Sequence, residues 1–258
     1  MPEVIETRQL SRSFGALEAV REMDLKVEPG ELFCFLGPNG AGKTTTIKMI
    51  VGLLRPTSGQ ALVGGHDLQR EPLAARRLLG YVPDRPLLYE KLTGRELMRF
   101  VAGLYRMPRR GLDDAIDELL ERFEIAAAAD RLVETYSQGM RQKISFAVTF
   151  LHQPQVVVVD EPWVGLDPRS MRRLREELQR RTQEGLTVFM STHTLSLAEQ
   201  VADRIGIIHR GRLRHLGSVA EIKALARHPG SLEDVFLSLT QEEDPVPDQT
   251  LPSAGARS

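Results

Sequence analysis

The sequence predicts an α/β fold, a mixed sheet core interrupted by a helical insert. Three observations carry that prediction. First, LFCFL (32–36), VVVVD (156–160) and TVFMS (187–191) are short continuous apolar runs. Such runs mark strands buried on both faces of a parallel sheet. Second, helical patterns alternate with these runs in the flanking parts of the chain. Third, the character changes from about 86 to 152, where Leu97, Phe100, Val101 and Leu104 recur at helical spacing, as do Ile116, Leu119, Leu120 and Phe123. A helical block inside alternating strands and helices is a layered core carrying an insertion.

Taken in order, ALEAVREMDLKV (16–27) reads as a strand, and the turn Glu28-Pro29-Gly30 separates it from LFCFL. A glycine-rich loop then opens a helix through Ile47, Ile50 and Val51. RPTSGQALVGGHDL (55–68) reads as turn, short strand, turn. A helix covers about 169–184, and RIGIIHRGRLRHLG (204–217) reads as two strands around Gly211. Leu232, Val235, Phe236 and Leu239 give SLEDVFLSLT one apolar helix face, read as packing onto the core. The polar, Pro-rich stretch after Thr240 is expected to be a disordered tail. The expected boundaries are a core of 1–84 and 155–240, a helical subdomain of 85–154 and a tail of 241–258.

The 258 residues suffice for a sizeable core, and 41% apolar with 27% charged residues is ordinary globular usage. A net charge of −1 recommends neither nucleic acid nor an acidic surface as partner. The basic stretch Arg169 to Arg181 also carries Glu176 and Glu177, with Glu184 just beyond. Arg172–Glu176, Arg173–Glu177 and Arg180–Glu184 stand at i,i+4, so it reads as a solvated face laced with ion pairs. Cys34 is the one cysteine; it excludes an internal disulfide, fits a reducing compartment and reads as a small core residue. The N-terminus lacks a signal-peptide pattern, and no run approaches the roughly 20 apolar residues of a membrane span. A soluble, cytosolic chain is expected, with a membrane partner left open.

GPNGAGKTT (37–45) fits the pattern G-x-x-x-x-G-K-[ST] at Gly37, Gly42, Lys43 and Thr44, between a strand and a helix as the mechanism requires. The glycines let backbone N–H groups close around phosphate oxygens, and the helix N-terminus adds partial positive charge. Lys43 would reach the β- and γ-phosphates, and the Thr44 hydroxyl would ligate Mg²⁺. Asn39, Gly40, Ala41 and Thr45 complete the expected nucleotide contacts. The plain alternative is a glycine-rich turn that binds nothing.

VVVVDEP (156–162) puts two acids at the end of a buried strand, where uncompensated carboxylates are costly. Asp160 fits a Mg²⁺ ligand, and Glu161 a base or positioner for an attacking water. VFMSTHTL (188–195) places His193 just past the next strand. Parallel strands end on one rim, so the phosphate loop, the acids and His193 are expected to meet there. Read singly, His193 is a capping or core histidine. The other histidines lack metal-ligand spacing.

From about residue 4 to 240 the chain resembles the ATP-binding subunits of ABC transporters, with several motifs in the family's order. WVGLDP resembles the family's D-loop at Gly165, Leu166 and Asp167, and His193 matches its switch histidine. Phe14 stands where the family stacks an aromatic on adenine; its bland reading is a core or surface aromatic. YSQGMRQK (136–143) resembles the signature usually written LSGGQ. In the family two copies pack head to tail, with ATP between one copy's phosphate loop and the other's signature. The resemblance therefore assigns Ser137 and Gly139 to the partner's ATP. The residues agree: Ser137 is a good N-cap, and Met140, Ile144, Val148 and Leu151 give the following helix a buried face.

Two departures stand out. Gln138 and Met140 replace a glycine and a glutamine of the signature. Asp84 replaces a glutamine that touches Mg²⁺ and the attacking water. A carboxylate binds Mg²⁺ more strongly by charge, but puts negative charge near the γ-phosphate. A solvated loop acid is the other reading of Asp84.

The resemblance implies an ABC-type P-loop NTPase using ATP and Mg²⁺, paired with a second ATP-binding subunit (a copy or a related chain). It implies a polytopic membrane permease as partner and no nucleic acid. The chain would then be cytoplasmic, peripheral on the inner face of the membrane. YSQGM, LYEKLTGRE and SLEDVFLSLT look most like the exporter branch serving drug, lipid, ion or polysaccharide permeases. Two alternatives are a soluble ABC ATPase acting on ribosomes or DNA, and a poorly hydrolysing regulatory module. One ATPase unit, a short insert and neutral charge argue against the first. Lys43, Asp160, Glu161 and His193 argue against the second, while Asp84 leaves it open.

Overall fold

The computed structural model describes residues 4–163 and 165–224, together with Leu232, Glu233 and Phe236. Two sheets organise it. In the first, β1 (Ile5–Phe14), β2 (Leu17–Val27), β4 (Ser58–Val63) and β5 (His66–Asp67) run antiparallel in the order β2-β1-β4-β5. The second contains β3 (Leu32–Leu36), β6 (Leu79–Val82), β7 (Val156–Asp160), β8 (Thr187–Thr192), β9 (Arg204–His209) and β10 (Arg212–Ser218). Its order is β10-β9-β3-β8-β7-β6, parallel throughout except for β10.

The second sheet explains the continuous apolar runs. Leu32, Cys34, Leu36, Val157, Val159, Val188 and Met190 face one core cluster. Phe33, Phe35, Val156, Val158 and Phe189 face another, shared with the antiparallel sheet and α1 (Lys43–Ile50). Successive side chains thus alternate between two buried faces, and neither face needs polar residues. Phe33 and Phe35 each lie against Phe189, with ring centroids 5.3 and 5.5 Å apart. Burial pushes the Cys34 thiol up, as befits a core residue.

The strand expected at 16–27 is β2. Its neighbour β1 escaped the sequence pattern because its pairing with β2 slips repeatedly between Thr7 and Ser13, and Gln9 adopts a positive φ of 47°. Bulges destroy the period of two on which strand recognition rests. β6 escaped as well, being a strand of four residues that includes Gly80.

The first sheet also leads into α2 (Pro72–Arg77), which precedes β6. Between β6 and β7 lie α3 (Gly94–Leu104), α4 (Leu112–Arg122) and α5 (Gln138–Leu151). Thr93 and Glu96 cap α3 reciprocally, each side chain accepting the other's N–H, at 3.2 and 2.8 Å. Its buried stripe runs through Leu97, Met98 and Ala102, with Val101 at the margin. Phe100 and Leu104, expected on that stripe, are 39% and 65% exposed. α4 buries Ile116, Leu119 and Leu120 as expected. Phe123 stacks with Phe146 and Phe150 at 6.0 and 5.8 Å, joining α4 to α5.

The predicted helix at 169–184 is α6 (Pro168–Gln183). It forms Arg172–Glu176 at 2.9 Å and Arg180–Glu184, but Arg173 pairs with Glu124 at 2.6 Å rather than with Glu177. Glu177 is already engaged by Arg180, Arg181 and Arg122. The end of α4 supplies partners that helix spacing alone does not reveal. The chain continues through α7 (Leu195–Val201) to α8 (Val219–Ala224). Beyond it Leu232 is buried and Phe236 packs against the same cluster. Val235, Leu239 and the tail 241–258 lie outside the described residues.

Candidate nucleotide site

β3, β6, β7 and β8 run parallel, so the residues after them share one rim. Gly37 follows β3, Asp84 stands two residues past β6, Asp160 ends β7 with Glu161 next, and His193 follows β8. The meeting expected from sequence is therefore observed.

The phosphate loop joins β3 to α1. Gly42 is the residue before the helix, with φ of 111°, and a Cβ there would lie 2.5 Å from the Ala19 carbonyl oxygen. No other residue type fits both the left-handed backbone and that approach. Inside the loop the Lys43 ammonium donates to the carbonyls of Gly37 and Pro38, at 2.6 and 3.2 Å. Lys43 is 7% exposed. Burial lowers its pKa, and the charges of Glu161 and Asp160 oppose that shift. A desolvated cation beside exposed backbone suits an incoming anion. Asn39, Gly40 and Thr44 are exposed, Thr45 is half-buried, and Ala41 is buried against the second core cluster.

A cleft of about 420 Å³ runs along the loop, with Phe14, Asp84 and Glu161 on its other walls. Phe14 is 46% exposed, and the Arg12 guanidinium lies over its ring at 4.6 Å from the centroid. Arg12 is itself tied to the Arg55 carbonyl at 3.0 Å. Asp84 is exposed, and its Oδ1 accepts the Arg85 N–H at 2.8 Å. Tyr81, two residues into β6 and half-buried, has its hydroxyl pushed up by burial and then by the charges of Asp160 and Asp84. Negative charge thus gathers at this rim opposite a single buried ammonium.

Asp160 is 2% exposed and accepts a hydrogen bond from the Ser191 hydroxyl. The sheet register produces this contact, since Asp160 stands opposite Ser191. Glu161 donates its N–H to the carbonyl and hydroxyl oxygens of the same serine, at 3.2 and 3.3 Å. Its φ of 48° is an uncommon left-handed conformation for a side chain of this size. Glu161 Oε1 lies 2.9 Å from His193 Nδ1. His193 thus reaches the cleft through Glu161. Ser191, which contacts both acids, is the residue of this rim that sequence reasoning missed; the one available signal was its place in the run TVFMS beside a strand ending in an acid.

Ser137 and Gly139 are not in this cleft. Ser137 caps α5, accepting the Met140 N–H at 3.3 Å. A Cβ on Gly139 would stand 2.9 Å from the Gly165 carbonyl oxygen, and the Gln138 side chain lies against Gly165 itself. The signature turn and the Gly165–Leu166 pair are therefore packed together within one chain. Asp167 caps α6, accepting the Ser170 N–H at 2.9 Å.

Residues 20–164 match the ABC transporter family. The chain is 36% identical over 245 residues to the probable multidrug ABC transporter ATP-binding protein YbhF of Escherichia coli. That match covers 93% of this chain and 42% of YbhF, so the chain spans less than half the length of that relative. The bacitracin transport ATP-binding protein BcrA of Bacillus licheniformis is 38% identical over 216 residues, covering 83% of this chain and 69% of BcrA. Among solved structures, an ATP-binding subunit of an ABC transporter superposes with a TM-score of 0.86 at 32% identity, covering 92% of this chain and 99% of that one. On the phosphate loop, the shared rim and these likenesses, the chain belongs to the ABC transporter family.

Proposed function

We propose that the chain is an ATPase motor that dimerises around ATP and drives export through a separate membrane permease. The observation that carries the reading is the convergence on one rim of buried Lys43, the Asp160–Glu161 pair and His193. In the working dimer Lys43 and the loop from Gly37 to Thr45 hold the phosphates, and Phe14 stacks on the adenine. Glu161 takes a proton from the attacking water, held in place by His193 at 2.9 Å. Thr44, Asp160 and Asp84 would hold Mg²⁺; a hydroxyl and two carboxylates are the hard oxygen donors that this ion prefers. When bound, the ion offsets charge on the phosphate oxygens. Ser137 and Gly139 serve the ATP of the second subunit, which fits their position outside the chain's own cleft.

Residues 1–84 and 155–240 form the ATP-binding core in this reading, and 85–154 the signature subdomain. Among the described residues no helix is long and apolar enough to cross a membrane; in this reading the passage is formed by the permease. The names of the multidrug and bacitracin relatives support export. The chain would work on the inner face of the membrane, with the permease seated between core and insert.

Glu161→Gln tests the chemistry. It is expected to keep ATP binding, lose hydrolysis and accumulate as a closed dimer on a sizing column with ATP. Hydrolysis at the wild-type rate would remove Glu161 from its role. A tagged pull-down from gently solubilised membranes tests the export reading. Recovery of a multi-span membrane protein in about equal amount supports it. Recovery of ribosomes, nucleic acid or nothing refutes export and leaves the ATPase chemistry standing.

A further inference from the structure

The aromatic wall of the nucleotide cleft has a second layer. Phe14 ends β1 and pairs with Leu17 across the turn Gly15-Ala16. A side chain at a hairpin tip has few neighbours, and Phe14 is 46% exposed. Arg12 supplies the missing support. Alternation along a strand puts side chains two positions apart on one face, and the Arg12 guanidinium lies 4.6 Å from the Phe14 ring centroid.

The guanidinium is itself held. It donates to the Arg55 carbonyl at 3.0 Å. The segment carrying that carbonyl is tied back to β1. The Ser13 N–H donates to the Thr57 hydroxyl at 3.1 Å, and the Thr57 N–H donates to the Ser11 carbonyl at 2.8 Å. The Arg12 Nε is buried without a hydrogen-bond acceptor. Such burial is costly, and an aromatic face offsets part of the cost for a cation. Phe14, Leu17 and Ala19 wall the cleft together with Asn39, Gly40 and Lys43, whereas Arg12 does not line it. The cation thus backs the ring from outside the cleft.

We infer that Arg12 is a positioning residue for the nucleotide base, acting through Phe14 as the back layer of a guanidinium–phenyl–base stack. The inference rests on the ATP reading above and adds what turns an exposed phenylalanine into a binding platform. Two effects follow from the geometry. The ring is fixed before the nucleotide arrives, so less side-chain freedom is lost on binding. The cation also draws the ring's π density toward its own side, so the opposite face repels the π cloud of a purine less. Both effects concern the base and need the ring. A charge that merely steers the ligand would act on the triphosphate and be indifferent to Phe14.

The test titrates the purified full chain by calorimetry with ATP and with inorganic tripolyphosphate, which offers phosphates without a base. EDTA is present to stop turnover, and thermal melts check that the variants fold alike. Arg12→Ala should weaken ATP binding about fivefold and leave tripolyphosphate within about 1.5-fold of wild type. In a Phe14→Ala background the same substitution should change ATP affinity by less than about 1.5-fold, because the two residues act as one unit. Arg12→Lys keeps the charge and the strand's packing but loses the planar fork, and should fall between wild type and alanine. Unchanged ATP affinity in both Arg12 variants, with Phe14→Ala still weakening ATP, overturns the inference and leaves Phe14 in place. Equal losses for ATP and tripolyphosphate, or the same loss with and without Phe14, also overturn it, since Arg12 would then be a steering charge. Unaltered ATP affinity in Phe14→Ala overturns both the inference and the place given to adenine. No ATP binding by wild type overturns the ATP reading itself.

Discussion

Ser191→Ala removes one hydroxyl from beneath the two carboxylates of the nucleotide site. Ser191 is fully buried and Asp160 is 2% exposed, so no solvent stands ready to replace the lost donor. The hydroxyl donates to Asp160 Oδ1 and accepts from the Glu161 N–H at 3.3 Å. A hydrogen bond to a charged group contributes about 1.5–3 kcal/mol, and its loss leaves a buried carboxylate oxygen short of a partner. The Glu161 N–H keeps the Ser191 carbonyl at 3.2 Å, so that half of the loss is small. A destabilisation of about 2 kcal/mol follows. For a chain of this size that lowers the melting temperature by roughly 4–8 °C. Trp163, the one tryptophan, is 7% exposed and stands two residues after Glu161, so its fluorescence follows unfolding near the site. Under the proposed mechanism kcat for ATP should fall more than KM changes, because the carboxylates lose their alignment while the phosphate loop is untouched. A melting temperature within about 1 °C of wild type, with kcat unchanged, would refute the reasoning: the serine would then contribute nothing net to holding Asp160.

Gly139→Ala adds a Cβ 2.9 Å from the Gly165 carbonyl oxygen, a backbone atom that must shift to make room. ATP-dependent dimerisation, read by analytical ultracentrifugation, should be lost while the monomer stays folded; a dimer of wild-type affinity would count against the role of this turn. Asp84→Gln removes a carboxylate from the cleft wall and installs the residue that the family usually has there. The Mg²⁺ concentration for half-maximal ATPase should rise several-fold. An unchanged Mg²⁺ dependence would make Asp84 a solvated loop acid.

Much of this protein is legible from local pattern. The strand, glycine loop and helix of residues 32–50 are contiguous, so the phosphate loop announces itself without any distant contact. The runs at 156–160 and 187–191 are apolar at every position but their ends because both sheet faces are buried, and that requirement is written into each residue. The helix α4 likewise shows its buried face in its own spacing. Other features exist only in the assembled fold. The strand β1 is bulged and loses its period, so pairing alone defines it. Leu104 keeps helical spacing yet is 65% exposed, since what an apolar residue faces depends on where neighbouring elements stop. Arg173 finds Glu124 across an interface, and Ser191 finds Asp160 across a register. The sequence by itself determined the regularly patterned strands and helices and which residue types could hold a phosphate, because backbone periodicity and loop chemistry are local. The tertiary structure decided which side chains meet: sheet register and helix packing set those partnerships between residues far apart in the chain.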